Sequence, residues 1–126
     1  MHTEHAERKR DLRLRRLILR LLHAARVGPQ SGWMTGRFVR DMLEGLAPAA
    51  QSSFTDDAHA AALLRDLVAG GYAEHRDERT RTYQRACPID YTSYRITHLG
   101  TALVEEQVEP DPLVEDDRMR RRKQAP

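Results

Sequence analysis

Apolar residues near the start of the chain recur at three- and four-residue intervals. Leu14, Leu17, Ile18, Leu21, Leu22 and Ala25 share one face of a helix running from about Glu4 to Arg26, with Leu12 one turn earlier at the edge of the stripe. The opposite face is basic: Arg8, Lys9, Arg10, Arg13, Arg15, Arg16 and Arg20. Gly28-Pro29 stops this helix, because proline cannot continue it and glycine tolerates the conformation that ends it. Trp33-Met34 forms a short apolar link or a one-bridge strand, and Thr35 is placed to cap a second helix. Phe38, Val39, Met42, Leu43 and Leu46 mark one face of that helix, and Gly45 and Pro48 set its end. The small, polar stretch from Ala47 to Ser53 predicts a turn. A third helix starts near Thr55-Asp56-Asp57, whose side chains satisfy free N–H groups and favour the positive end of the dipole. It buries Ala60, Leu63, Leu64, Leu67 and Val68 and ends at Gly70-Gly71.

The period then changes. Tyr72-Ala73-Glu74-His75-Arg76 predicts a strand, and Tyr94-Arg95-Ile96-Thr97 predicts its partner, with Tyr94 and Ile96 on one face. A long polar connection separates them. Thr97 is placed to cap a further helix, His98 to about Val108, whose apolar face holds Leu99, Ala102 and Leu103. Pro110 and Pro112 close the folded unit. Beyond them the chain is first acidic and then basic, with too little apolar content to offset the entropy of ordering. The expected organisation is residues 1–10 as an extension of the first helix, 11–108 as one domain and 109–126 as a disordered charged tail. The expected class is α+β, mainly helical: three helices, a long β-hairpin and a C-terminal helix, with no internal repeat.

Three helices followed by a hairpin is the plan of a winged helix-turn-helix. The stretch Leu63-Leu64-Arg65-Asp66-Leu67-Val68-Ala69-Gly70-Gly71-Tyr72-Ala73-Glu74-His75-Arg76 resembles the junction of third helix and first wing strand in winged-helix regulators of the multiple-antibiotic-resistance and PadR types. Tyr94-Arg95-Ile96-Thr97-His98-Leu99-Gly100 is similar to their second wing strand running into a Thr-x-x-Gly helix start. Arg15-Arg16-Leu17-Ile18-Leu19-Arg20-Leu21-Leu22 resembles the early helix of a small winged-helix family carried by Mu-like prophages, a family with no established role. The resemblance covers roughly residues 11–107. It implies a winged helix with the third helix as recognition helix, and it specifies fold more than function.

Composition narrows the classes. The chain has 126 residues, which suits one domain, and a net charge of only +2, so the charge blocks inform more than the total. A single cysteine, Cys87, can form no internal disulfide and fits a reducing compartment. Apolar runs fall far short of the ~20 residues that span a bilayer, and Met1-His2-Thr3-Glu4-His5 lacks a signal-peptide core. The expected location is cytoplasmic, without membrane contact.

The candidate chemistry is nucleic-acid binding. Arg79, Arg81 and Arg85 stand in the hairpin connection around Tyr83 with no acidic residue among them; such a tip suits phosphates or a minor groove. In the usual docking the start of the third helix meets base edges, which points to His59 and Arg65, with Ser52 and Ser53 in the turn before it. Arg76, at the end of the first strand, joins the set. The basic face of the first helix and the run Arg118 to Lys123 offer non-specific charge, or are simply solvated surface. Asp56 and Asp57 oppose the reading, because two carboxylates aimed at phosphates repel them. Six scattered histidines and one cysteine present no metal spacing and no nucleophile–base pair, so no enzyme, metal or other cofactor is expected. The expected function is double-stranded DNA binding by a homodimer, joined through the apolar faces of its first and last helices. It would act as a transcriptional regulator or as a phage or prophage DNA-handling accessory. The alternative is a protein-interaction module of the same fold, in phage assembly or host interaction, to which an acidic third helix is better suited.

Overall fold

In the computed structural model, α1 (His2–Ala25) is the central element, touching α2, α3, α5 and β3. Because neighbours surround it, its buried band is wider than a single stripe. Leu14, Ile18, Leu19 and Leu22 are all essentially sealed from solvent, and Leu17 and Leu21 pack against them. Leu19 lies outside the stripe that periodicity alone selects. The described residues are 2–28, 31–46, 54–77, 87–114 and 118.

The chain then runs through β1 (Met34–Thr35), α2 (Gly36–Leu46), α3 (Asp57–Ala69), β2 (Ala73–Asp77), α4 (Pro88–Tyr91), β3 (Thr92–Ile96) and α5 (His98–Val104). The class is α+β, mainly helical. Its sheet is antiparallel with order β1-β3-β2, so the last strand lies between the first two. Ala73 pairs with Ile96, and His75 and Met34 both face Tyr94 from opposite sides. Ala73, Tyr94 and Ile96 are buried in the core shared with α1 and α3.

Local chemistry explains the boundaries. The Thr35 hydroxyl accepts from the Phe38 N–H at 3.1 Å, which caps α2. At the end of α3, Gly71 takes φ +85°; its N–H reaches Val68 O and that of Tyr72 reaches Leu67 O, both at 3.0 Å. This is the paired closure that a left-handed residue allows, and glycine adopts it without Cβ strain. The same closure ends α5 early, with Glu106 at φ +60° and Gln107 N–H donating to Ala102 O at 2.8 Å. The last helix therefore stops at Val104 rather than near Val108. Its Leu99 is 44% exposed and lies outside the core face assigned to it.

Two other expectations change. The connection between the strands is not wholly loop, because its return limb forms α4, whose Ile89 is fully buried beneath α2. Gly36 makes that contact possible, since a Cβ there would stand 2.8 Å from Ile89 Cβ. The folded unit also continues past residue 108. Val114 enters the core, Leu113 packs beside it, and the Arg15 guanidinium donates to Leu113 O at 3.1 Å. The Tyr72 hydroxyl donates to the Asp111 carboxylate, which also accepts from Leu113 N–H at 2.8 Å. A two-residue apolar pair among prolines and acids has no periodicity, so it reads as tail until its partners are in place.

Desolvation, reinforced by the hydrogen bond and charge of Asp111, pushes the Tyr72 hydroxyl up to about 12. A raised folded value means stability is present below the unfolded value near 10 and is lost as pH rises through 12. Wild-type stability is expected to fall across that window, whereas Tyr72→Phe should flatten the fall. Urea midpoints measured between pH 9 and pH 12 check this, and parallel curves for the two proteins would refute it.

Candidate nucleic-acid interface

The start of α3 is where the acidic objection to DNA binding arises. Asp56 caps the helix from an extended conformation, its Oδ1 accepting from the His59 N–H at 2.8 Å. Asp57 accepts two hydrogen bonds from Arg37, at 2.9 and 2.7 Å, and one from Arg40. Arg37 also donates to Asp90 at 2.9 Å, and Arg40 to Glu44 at 3.1 Å. The network ties α2, α3 and α4 together. It arises because Arg37, Arg40 and Glu44 share one side of α2, beside its buried Val39 and Leu43.

The Arg37 hydrogen bonds, its charge and the Arg40 contacts hold the Asp57 carboxyl below its usual range against partial desolvation. A lowered folded value contributes stability above the unfolded value, near 4, that is lost as pH falls through the folded one. Asp57→Asn is therefore expected to lower the melting temperature at pH 7 and to make little difference at pH 2. A mutant deficit that persists undiminished in acid would remove Asp57 from this role.

His59 does not face outward. Its Nδ1 accepts from the Thr55 N–H at 3.1 Å, which leaves the proton on Nε2 to be donated to Asp11 Oδ1 at 2.8 Å. The side chain is 13% exposed and its ring lies edge-on to Phe54. His59 thus joins α3 to α1 through Asp11, with both ring nitrogens engaged within the protein. The reason is that its position in the first turn faces α1 rather than solvent. Asp66 is likewise engaged, accepting from Arg15 at 2.8 Å. Arg15 accordingly leaves the basic face of α1, where Arg8 and Lys9 remain exposed. The outer ridge of α3 is left with Ala58, Ala62, Arg65 and Ala69, spaced to lie along one line.

The sheet carries a second group on its outer face. Arg76 stands opposite Ser93, and Glu74 opposite Arg95. Trp33, one residue before β1, extends the register to face Arg95 from the other side. The guanidinium carbons of Arg76 and Arg95 lie 4.3 and 4.5 Å from the Trp33 ring centroid. Arg95 Nε donates to Glu74 at 2.6 Å, and Ser93 is buried within the row. Of these residues, the sequence reading selected Arg76 alone. The signal for the rest was the alternation Glu74, Arg76 and Ser93, Arg95, which shares one face only once the strands are paired.

Arg65 is exposed on α3 and Arg76 lies on β2, so the structure presents both to solvent on neighbouring elements. Ser52, Ser53, Arg79, Arg81 and Arg85 lie outside the described residues. Among the described residues no cluster of histidine, cysteine or acidic side chains could hold a metal, and no helix is long and apolar enough to cross a membrane. Comparison of the chain with protein-family models, with curated proteins and with solved structures finds no match.

Proposed function

We propose that this chain is a winged-helix protein that binds double-stranded DNA, with α3 entering the major groove and the segment 78–86 acting as the wing. The element order and the β1-β3-β2 sheet support the fold reading. The observation that carries the function is the state of the acids on α3. Asp57 and Asp66 are paired with arginines of α2 and α1, and the exposed Asp56 caps the helix start, so the outer ridge of α3 carries alanines and Arg65. Alanine lets a helix approach closely and can touch a thymine methyl, and an arginine can address guanine or phosphate. Arg37 ties α4, on the return limb of the connection, to the first residue of α3, which supports one continuous surface.

The role is that of a cytoplasmic regulator or a phage or prophage DNA-handling accessory, binding rather than catalysing. Two copies would address half-sites about one helical turn apart. Of the apolar stripe of α1, Leu14, Ile18 and Leu22 are buried in the core, while Leu17 and Leu21 are partly buried. One observation favours a protein-interaction module instead. Phe38 and Met42, one turn apart on α2, are 49% and 37% exposed.

Fluorescence anisotropy of a labelled random duplex across a salt series tests the proposal. The expected result is binding that weakens steeply with salt, with a slope counting the phosphate contacts. Absence of binding at low salt and high protein concentration would transfer the assignment to the protein-interaction module.

A further inference from the structure

We propose that Trp33, Arg76 and Arg95 form a clamp for a DNA phosphodiester at the root of the wing, an inference that rests on the DNA-binding reading above. Two guanidinium groups converge on a single indole, where the negative ring face offsets their mutual repulsion. A guanidinium over a ring face can still donate through the N–H groups along its edges, although Arg95 now directs one edge at Glu74. Those edges match the paired oxygens of a phosphodiester. The stack also immobilises two long side chains before any ligand arrives, which removes part of the entropic cost of binding.

Arg95 also borders a cleft of about 460 Å³ whose walls include Arg26, Glu74 and Thr101; Trp33 and Arg76 do not line it. Glu74 competes for Arg95 from the same row, so an incoming phosphate takes over a position that a carboxylate now holds. The position along the chain matters as well. Arg76 precedes Arg79 by three residues, so their Cα atoms are at most about 11 Å apart. The clamp therefore stands at the base of the segment carrying Arg79, Arg81 and Arg85, where the same DNA backbone would pass. Contacts of this kind set register and affinity without reading sequence.

Trp33 is the only tryptophan, so its fluorescence reports on this site alone. The test titrates a random duplex into the full chain at several salt concentrations, following Trp33 emission and the anisotropy of a labelled strand. Wild type is compared with Arg76→Gln, Arg95→Gln, Arg76→Lys and Glu74→Gln, each first shown to be folded by circular dichroism. Arg76 lies on an edge strand, so its variants keep the test decisive if Arg95→Gln does not fold. The expected result is a Trp33 emission change on binding, roughly tenfold weaker affinity for each Arg→Gln, and a salt slope lower by about 0.9. Arg76→Lys should keep the slope but lose part of the affinity, and Glu74→Gln should bind more tightly. Duplex binding that is unaltered in affinity and slope by both Arg→Gln changes would overturn the clamp and leave the DNA reading standing. No duplex binding by wild type overturns both. Binding of poly-glutamate but not duplex, weakened by the same substitutions, would overturn the DNA clamp in favour of an acidic protein partner.

Discussion

Gly100→Ala is expected to destabilise the protein by about 3 kcal/mol and lower its melting temperature by roughly 10 °C. The sign runs against local propensity. Gly100 lies in the first turn of α5, where alanine would ordinarily stabilise a helix by about 1 kcal/mol. Tertiary contact reverses that preference. A Cβ at Gly100 would overlap the carbonyl oxygen of Tyr72 outright and stand 2.7 Å from Ile96 Cγ1. The Tyr72 carbonyl cannot yield freely, because it accepts from the Thr97 N–H at 3.1 Å. Thr97 in turn accepts from Gly100 N–H at 3.0 Å and donates to Gly71 O at 2.6 Å. The Thr-x-x-Gly start is thus a junction where α5 presses against the chain entering β2. Thermal denaturation followed by circular dichroism measures the effect, and an unchanged or raised melting temperature would show that the contact relaxes without cost.

Replacing Arg79, Arg81 and Arg85 together with glutamate is expected to weaken duplex binding about 100-fold or more. At ~1 kcal/mol per charge-assisted contact, three losses reach that size before the new repulsion is counted. The salt dependence is the sharper readout. Each phosphate contact contributes about 0.9 to the logarithmic slope, so the slope should fall by close to 3. Binding that weakens with the slope unchanged would mean that these arginines act on the fold rather than on DNA. Full affinity with an unchanged slope would remove the segment from the interface and leave α3 and the sheet to carry it.

The candidate site was legible where a feature is local. The capping roles of Thr35, Asp56 and Thr97 follow from side-chain chemistry within three residues, and the helices begin where those caps predict. Side-chain partners distant in sequence were not legible. Asp57 looked like an exposed carboxylate opposed to DNA, and the arginines that engage it stand 17 and 20 residues earlier on another helix. His59 read as a base-reading residue because its acceptor, Asp11, is 48 residues away. Trp33 read as part of a link or one-bridge strand with no named partner, and strand pairing set it beside Arg76 and Arg95.

Taken alone, the order of residues determined the number and sequence of the longer helices, the two paired strands and most of the core. Those features depend on periodicity, caps and glycine stops, whose physical range is one or two turns. Tertiary structure decided how wide the buried band of α1 is, that Ile89 and Val114 belong to the core, and which charges remain for a partner. Each of these depends on the approach of segments far apart in the chain. An exposed charge and a neutralised one are the same residue until its neighbour is known.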